Sequence, residues 1–350
     1  HSIFWFRTRQ WVLSRVLHLT EHKKQTLLAA PDAVLLLPAL FRKRRISRIL
    51  LVTTPGFVRR GTLTSLLMAE KENISVTIFS EIAPDPQIES VEQGFRLYQQ
   101  IQAQAILAIG GGSVLDAAKL IGARVAVRKD GSCDAGLRES PSETSAAVCR
   151  ADDQPGTGSE ATAAAVITDC IDGKPYKYAV NDLCLIPDTA VLDPRLTISL
   201  PSSMTADTGM DALTHAMEAF LNLFASRSVQ NASIEAVCEI SMPCPKPGVT
   251  APVLPHGRKC FMHRIWPVCF YQQLCRYVHA IAHAVGALYH IPHGRANAVL
   301  LPAVLREYGS CIAPKLAVLA DALSLGGDTV SEKAERMIAA IEAMRDSFDI

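Results

Sequence analysis

The chain has no run of 18 apolar residues in its 350, so a membrane-crossing helix is not expected. It has almost no net charge, with 35 Lys and Arg against 34 Asp and Glu. A nucleic-acid binder carries a basic excess, so this balance argues against that class. Aromatics are few at 6%, yet 49% hydrophobic and 20% charged residues give a globular composition, neither disordered nor collagen-like. None of the ten cysteines stands in a C-x-x-C pair, so the usual thiolate zinc spacing is missing. A disulfide-stapled scaffold is not expected at this length. No signal peptide is visible, which makes the cytoplasm the expected compartment. The first residue is His1 rather than Met, so an N-terminal piece is expected to be absent.

What is present is a change of pattern near Leu200. Before it, short apolar runs alternate with helical spacing. Ile49-Leu50-Leu51-Val52, Ile74 to Phe79 and Ala105 to Ile109 read as strands. Gly61 to Glu70, Ile88 to Gln102 and Val114 to Ala123 read as helices. Such alternation implies right-handed βαβ units and a parallel sheet. Residues 1–45 show no opening strand, and the basic run Phe41 to Arg45 reads as a solvated helix end. Beyond Pro201, apolar residues recur at three and four and strands vanish. Two domains are expected, an α/β unit over 1–200 and an all-helical unit over 201–350.

Two glycine loops stand out. Gly110-Gly111-Gly112-Ser113 lies between a strand and a helix that carries Asp116 and Lys119. The glycines allow close backbone approach, and the helix start offers free N–H groups and a partial positive charge. Both suit a pyrophosphate, although a plain tight turn fits as well. The second loop, Gly156-Thr157-Gly158-Ser159-Glu160, can wrap a nucleotide or simply cap a helix.

The histidines carry the sharper signal. Asp211 and His215 lie one helical turn apart on one face, suited to chelating a metal or to a simple hydrogen bond. Val278 to Gly294 then holds His279, His283, His290 and His293. Several imidazoles on an apolar helix are costly to bury without partners. A straight helix would carry His293 about 21 Å from His279, but Pro292 and Gly294 break it and let His293 fold back. One Asp with two or three His is an N/O donor set suited to Fe²⁺ or Zn²⁺.

Together these motifs resemble the group III, iron-containing alcohol dehydrogenase family. So do Ala165 to Asp169 and Ile186 to Pro194, and order and spacing match throughout. The resemblance implies a Rossmann-like α/β domain with a parallel sheet, followed by an all-α domain, the dehydroquinate synthase-like fold. It implies NAD or NADP in the cleft between them, with Gly110, Gly111, Gly112, Ser113, Asp116, Thr157, Ser159 and Lys177 on the cofactor. It implies Asp211, His215, His279 and His293 as ligands of Fe²⁺ or Zn²⁺. His283 matches a proton-relay position, whereas His290 matches none. The implied reaction moves a hydride between a small primary alcohol or diol and NAD(P). Thr54 stands where the family often carries an acid, so a 2′-phosphate is not repelled and NADP is tolerated.

Two stretches depart from the pattern. In 131–154, Asp152, Asp153 and Gln154 replace apolar and hydroxyl residues. In 237–276, Pro243, Pro245, Pro247, Pro252 and Pro255 crowd a region where helices are expected. Preserved spacing with altered composition reads as a frame-shifted stretch between compensating changes. The chain also ends before the family pattern does, so a further helical piece is expected beyond Ile350. The rivals are a glycerol-dehydrogenase-like or dehydroquinate-synthase-like metalloenzyme, and a non-catalytic remnant that at most binds nucleotide. The expected partners are a small alcohol or aldehyde and at most a second copy in a homodimer, without nucleic acid or membrane.

Overall fold

The computed structural model describes residues 25–60, 73–83, 86–129, 150–151, 158–171, 174–197, 201–223, 225–241, 277–289 and 291–350. The helix expected over Gly61–Glu70, the positions Thr157 and His290, and nearly all of both divergent stretches lie outside the described residues. The described chain divides into two compact units, residues 25–197 and 201–350.

The first unit is built on buried apolar strands. β1 spans Thr26–Ala29, and a 3₁₀ turn at Ala33–Leu36 leads into α1, Leu37–Lys43. β2 (Arg48–Val52) is followed by α2 (Pro55–Arg60), and β3 (Ser75–Phe79) by α3 (Ile88–Gln100). β4 (Ala105–Ile109) runs through the glycine triplet into α4 (Gly112–Lys129). β5 (Arg150–Ala151), the hairpin β6 (Ala164–Ile171) and β7 (Lys174–Asn181), and β8 (Thr189–Leu192) complete the unit. The main sheet has the order β3-β2-β4-β5, all parallel, while β1 pairs with β8 in parallel.

Ile49 to Val52 and Ala105 to Ile109 are buried on both sides, as expected for strands covered by helices on each face. Ile49, Leu51, Leu107 and Ile109 face Leu37 and Phe41 of α1. Their alternates Leu50, Val52, Ile106 and Ala108 face Val91 and Phe95 of α3 and Leu115 and Ile121 of α4. Each such fully buried Leu or Ile contributes roughly 1.5–3 kcal/mol. The basic run ends α1 as read from sequence: Phe41 is buried, while Arg42 and Lys43 close the last turn in solvent.

One expectation is corrected. Residues 25–45 do hold an opening strand, Thr26–Ala29, in register with Thr189–Leu192. Four residues are too few to show alternation, and the ladder partner lies far along the chain. Asp193, just after β8, fixes the junction by accepting from the Asp32 and Val34 amides at 3.1 and 3.3 Å.

Beyond Pro201 every described element is helical. They are α5 (Ser202–Leu221), α6 (Arg227–Ser241), α7 (Tyr277–Tyr289), α8 (His293–Tyr308), a 3₁₀ turn at Gly309–Cys311, α9 (Ala313–Ala322) and α10 (Val330–Ser347). α5 is buried continuously from Met210 to Phe220, so it is the core helix of this unit. Its free C-terminal carbonyls are capped by Lys315 of α9, whose Nζ donates to Phe220, Leu221 and Asn222 at 2.9, 3.2 and 3.1 Å. The parallel α/β unit and the helical unit match the expected fold class. No described helix is long and apolar enough to cross a membrane.

Candidate metal centre

Buried polar side chains on α5 begin the site. Asp211 and His215 are 3% and 2% exposed, one turn apart on one face of a helix whose Met210, Leu213 and Met217 are also buried. α7 brings His279 to the same point, 1% exposed, its ring 4.2 Å from that of His215. The ligand atoms of Asp211, His215 and His279 all lie within 4.8 Å of one another.

His293 reaches the site from α8. Pro292 precedes that helix, and Gly294 packs directly on α5. A Cβ at Gly294 would overlap the Asp207 carbonyl, lying 2.6 Å from its carbon. Only glycine lets α8 start this close to α5. His293 Nε2 stands 3.9 Å from Asp211 Oδ1, half-exposed where the other three are buried. His283, one turn beyond His279, stacks on His293 with centroids 4.5 Å apart.

The distances suit a shared ion. Two ligands of one tetrahedral ion at ~2.1 Å lie about 3.4 Å apart. Asp211 Oδ1 stands 3.5 Å from His279 Nε2, 3.8 Å from His215 Nε2 and 3.9 Å from His293 Nε2. The gaps to His215 and His293 exceed a direct hydrogen bond, that to His279 is at its limit, and all three are at or slightly wider than ligand edges. One carboxylate with imidazoles is a donor set for Fe²⁺ or Zn²⁺. Burial by itself raises the Asp211 carboxyl, but His215, then the hydrogen bond with His279, then the charges of His293 and His279, outweigh it. The carboxyl therefore sits far below the usual range, the behaviour of a group that is anionic when it meets a cation.

Two buried residues complete the arrangement and were not singled out from sequence. Glu218 accepts from His279 Nδ1 and, at 2.7 Å, from the Val278 amide. Asn297, fully buried, donates from Nδ2 to Asp211 Oδ1 at 2.7 Å and contacts His293 Nε2 at 3.2 Å. The signal was there: Asp211, His215 and Glu218 stand at i, i+4 and i+7, and His293 and Asn297 at i and i+4.

The glycine loop lies at the other chemical feature, in the α/β unit. The chain goes from β2 outward to β3, then returns to the opposite side of β2 for β4. The strand order thus reverses between β2 and β4, where open α/β sheets bind ligands. Thr53 spans the two strand ends, its Oγ1 donating to the Ile109 carbonyl at 2.7 Å. Gly110 has φ +155°, and a Cβ there would stand 2.7 Å from Val114 Cγ2. Gly111 closes the turn by accepting from the Val114 amide at 3.0 Å, so α4 begins at the strand end. Thr54 follows β2, its Oγ1 accepting from the Phe57 amide at 3.3 Å and capping α2.

Other residues expected around the cofactor make internal contacts. Asp116 accepts from the Val166 amide at 3.0 Å and is tied to Ser159. Burial raises its carboxyl, opposed by Lys119, that amide, Ser159 and Lys177. Lys119 donates to the carbonyls of Thr162 and Ala164 at 2.9 and 2.8 Å. Asp116 and Lys119 therefore anchor the Ser159–Ala164 stretch to α4, which fixes the loop that carries Ser159. Lys177 lies on β7 opposite Thr168.

Comparison with known proteins places this geometry. The description "Iron-containing alcohol dehydrogenase" matches residues 25–194, and "Fe-containing alcohol dehydrogenase family, C-terminal" matches residues 205–350. The chain is 36% identical over 266 residues to the 1-propanol dehydrogenase PduQ of Salmonella typhimurium, covering 75% of this chain and 68% of that one. It is 31% identical over 323 residues to the NADPH-dependent butanol dehydrogenase of Clostridium saccharobutylicum, covering 87% and 78%. The fold superposes on a crystal structure of 1,3-propanediol oxidoreductase with a TM-score of 0.81, 28% identity, and coverage of 95% and 87%. The chain therefore belongs to the iron-containing alcohol dehydrogenase family, whose enzymes use iron and NAD(P).

Proposed function

We propose that this alcohol dehydrogenase interconverts small primary alcohols or diols and their aldehydes with NAD(P), residues 1–200 holding the nucleotide and 201–350 the metal. The convergence of Asp211, His215 and His279 in one buried cluster, with His293 beside it, supports this reading most. In it, Asp211, His215, His279 and His293 are the ligands. When bound, the metal would supply Lewis acidity and the nicotinamide would supply the hydride-accepting chemistry.

The chain's own residues do the rest. Asn297 holds the Asp211 carboxylate by its hydrogen bond, so that the anion stays aimed at the histidines. Three nearly inaccessible ligands keep water from competing at the buried side. His283, half-buried and stacked on His293, takes the hydroxyl proton as base and passes it to solvent. Gly110 to Ser113 and the start of α4 bind the pyrophosphate, with Ser159 and Lys177 alongside. Asp116 fixes the Ser159 loop, and Thr157 belongs to the same nucleotide loop by its place in sequence. The relatives' names point to propanol-, butanol- and propanediol-sized substrates. The same reading has the enzyme act in the cytoplasm on a dissolved substrate, as a homodimer at most.

The test is oxidation of 1-propanol, 1-butanol and 1,3-propanediol by Fe²⁺-loaded protein with NAD⁺ or NADP⁺. Turnover that vanishes in His279→Ala and falls in His283→Gln is the expected result. Equal turnover with and without metal would contradict the reading.

A further inference from the structure

We propose that Glu218 is a positioning residue of the metal centre: its carboxylate fixes the tautomer and direction of His279, so that Nε2 is bare and faces Asp211. This rests on the metal reading above. Glu218 lies on the same α5 stripe as Asp211 and His215 and is 8% exposed. Both of its oxygens are engaged on the first turn of α7: Oε1 accepts the Val278 amide at 2.7 Å, and Oε2 meets His279 Nδ1. A carboxylate only accepts, so the proton sits on Nδ1. In the neutral ring, the form that binds a metal, Nε2 then keeps its lone pair, and it is this atom that stands 3.5 Å from Asp211 Oδ1. The ring of His215 packs against this imidazole, centroids 4.2 Å apart and planes tilted by 32°.

The amide of Val278 makes the arrangement testable. It is a fixed donor, so a glutamine at 218 must turn its carbonyl towards it. The glutamine NH₂ then faces His279 Nδ1, and that nitrogen has to accept. The ring proton moves to Nε2, and the ligand atom is blocked. Glu218→Gln thus preserves size, burial and the cap on α7 while reversing the tautomer. A residue that merely packs α5 against α7 would not distinguish the two side chains in this way.

The experiment titrates metal-free wild-type and Glu218→Gln protein anaerobically with Co²⁺ alone, following its visible d–d bands. Imidazole ¹⁵N shifts report the His279 tautomer in the same metal-free samples. The expected result is a Co²⁺ dissociation constant ~10–100-fold higher in the variant. Its unfolding temperature should stay within about 4 °C of wild type. In the neutral ring the proton should be on Nδ1 in wild type and on Nε2 in the variant. Co²⁺ affinity within threefold of wild type, or an Nε2–H tautomer in wild type, would overturn the inference. Should the variant fail to fold, the wild-type spectrum alone decides. If wild-type protein binds no Co²⁺, the metal reading itself fails and takes this inference with it.

Discussion

Single side chains in this protein divide into those the fold forces into place and those that can change. Thr54 is free: it caps α2 from the end of β2, a task aspartate performs equally well. Thr54→Asp should therefore fold normally and place a negative charge beside the adenosine ribose. We expect it to lower the kcat/KM ratio of NADP⁺ to NAD⁺ about tenfold or more. Steady-state kinetics with both cofactors measures this, and an unchanged ratio would remove Thr54 from the ribose site. Asp211 is not free. Its depressed carboxyl contributes stability that is complete above the ordinary carboxylate range near pH 4. That contribution is lost as pH falls towards its lower folded value. Metal-free Asp211→Asn protein should show a shallower loss of stability below pH 4 than metal-free wild type. Denaturant unfolding at stepped pH tests the point.

At the scale of elements, helix–helix approach sets the site. α8 meets α5 through Gly294, whose missing side chain lets the Asp207 backbone come within contact. Adding one methyl there must push α8 away or strain it, at a cost of about 1–3 kcal/mol. Gly294→Ala should lower the unfolding temperature and weaken metal retention by moving His293 more than Asp211. Calorimetry with and without metal separates the two effects. Legibility in the sequence varied with element type. β2 and β4 were readable because strands buried on both faces are continuous apolar runs. α5 was readable because its chemistry repeats at helical spacing. β1 was missed because four residues show no period and its partner, β8, is remote. Glu218 and Asn297 were passed over for a related reason: their roles depend on α7 and α8 reaching α5, which spacing along one helix does not record.

At the scale of the molecule, the two chemistries are divided between units. The glycine loop belongs to the α/β unit, and Asp211, His215, His279 and His293 belong to the helical unit. A ligand stabilises the part that forms its site. Chelation should accordingly increase hydrogen exchange in α5, α7 and α8 far more than in β2 and β4. NAD(P) should protect the β4–α4 junction instead. Uniform loosening of both units on chelation would contradict that division.

The central claim is that Asp211, His215, His279 and His293 assemble into a metal site in this chain. Elemental analysis of purified soluble protein, before and after anaerobic Fe²⁺ or Zn²⁺ addition, tests it most directly. The expected result is about one iron or zinc per chain, and none in Asp211→Ala. Wild-type protein that stays metal-free after loading, or Asp211→Ala that retains a full equivalent, would contradict it.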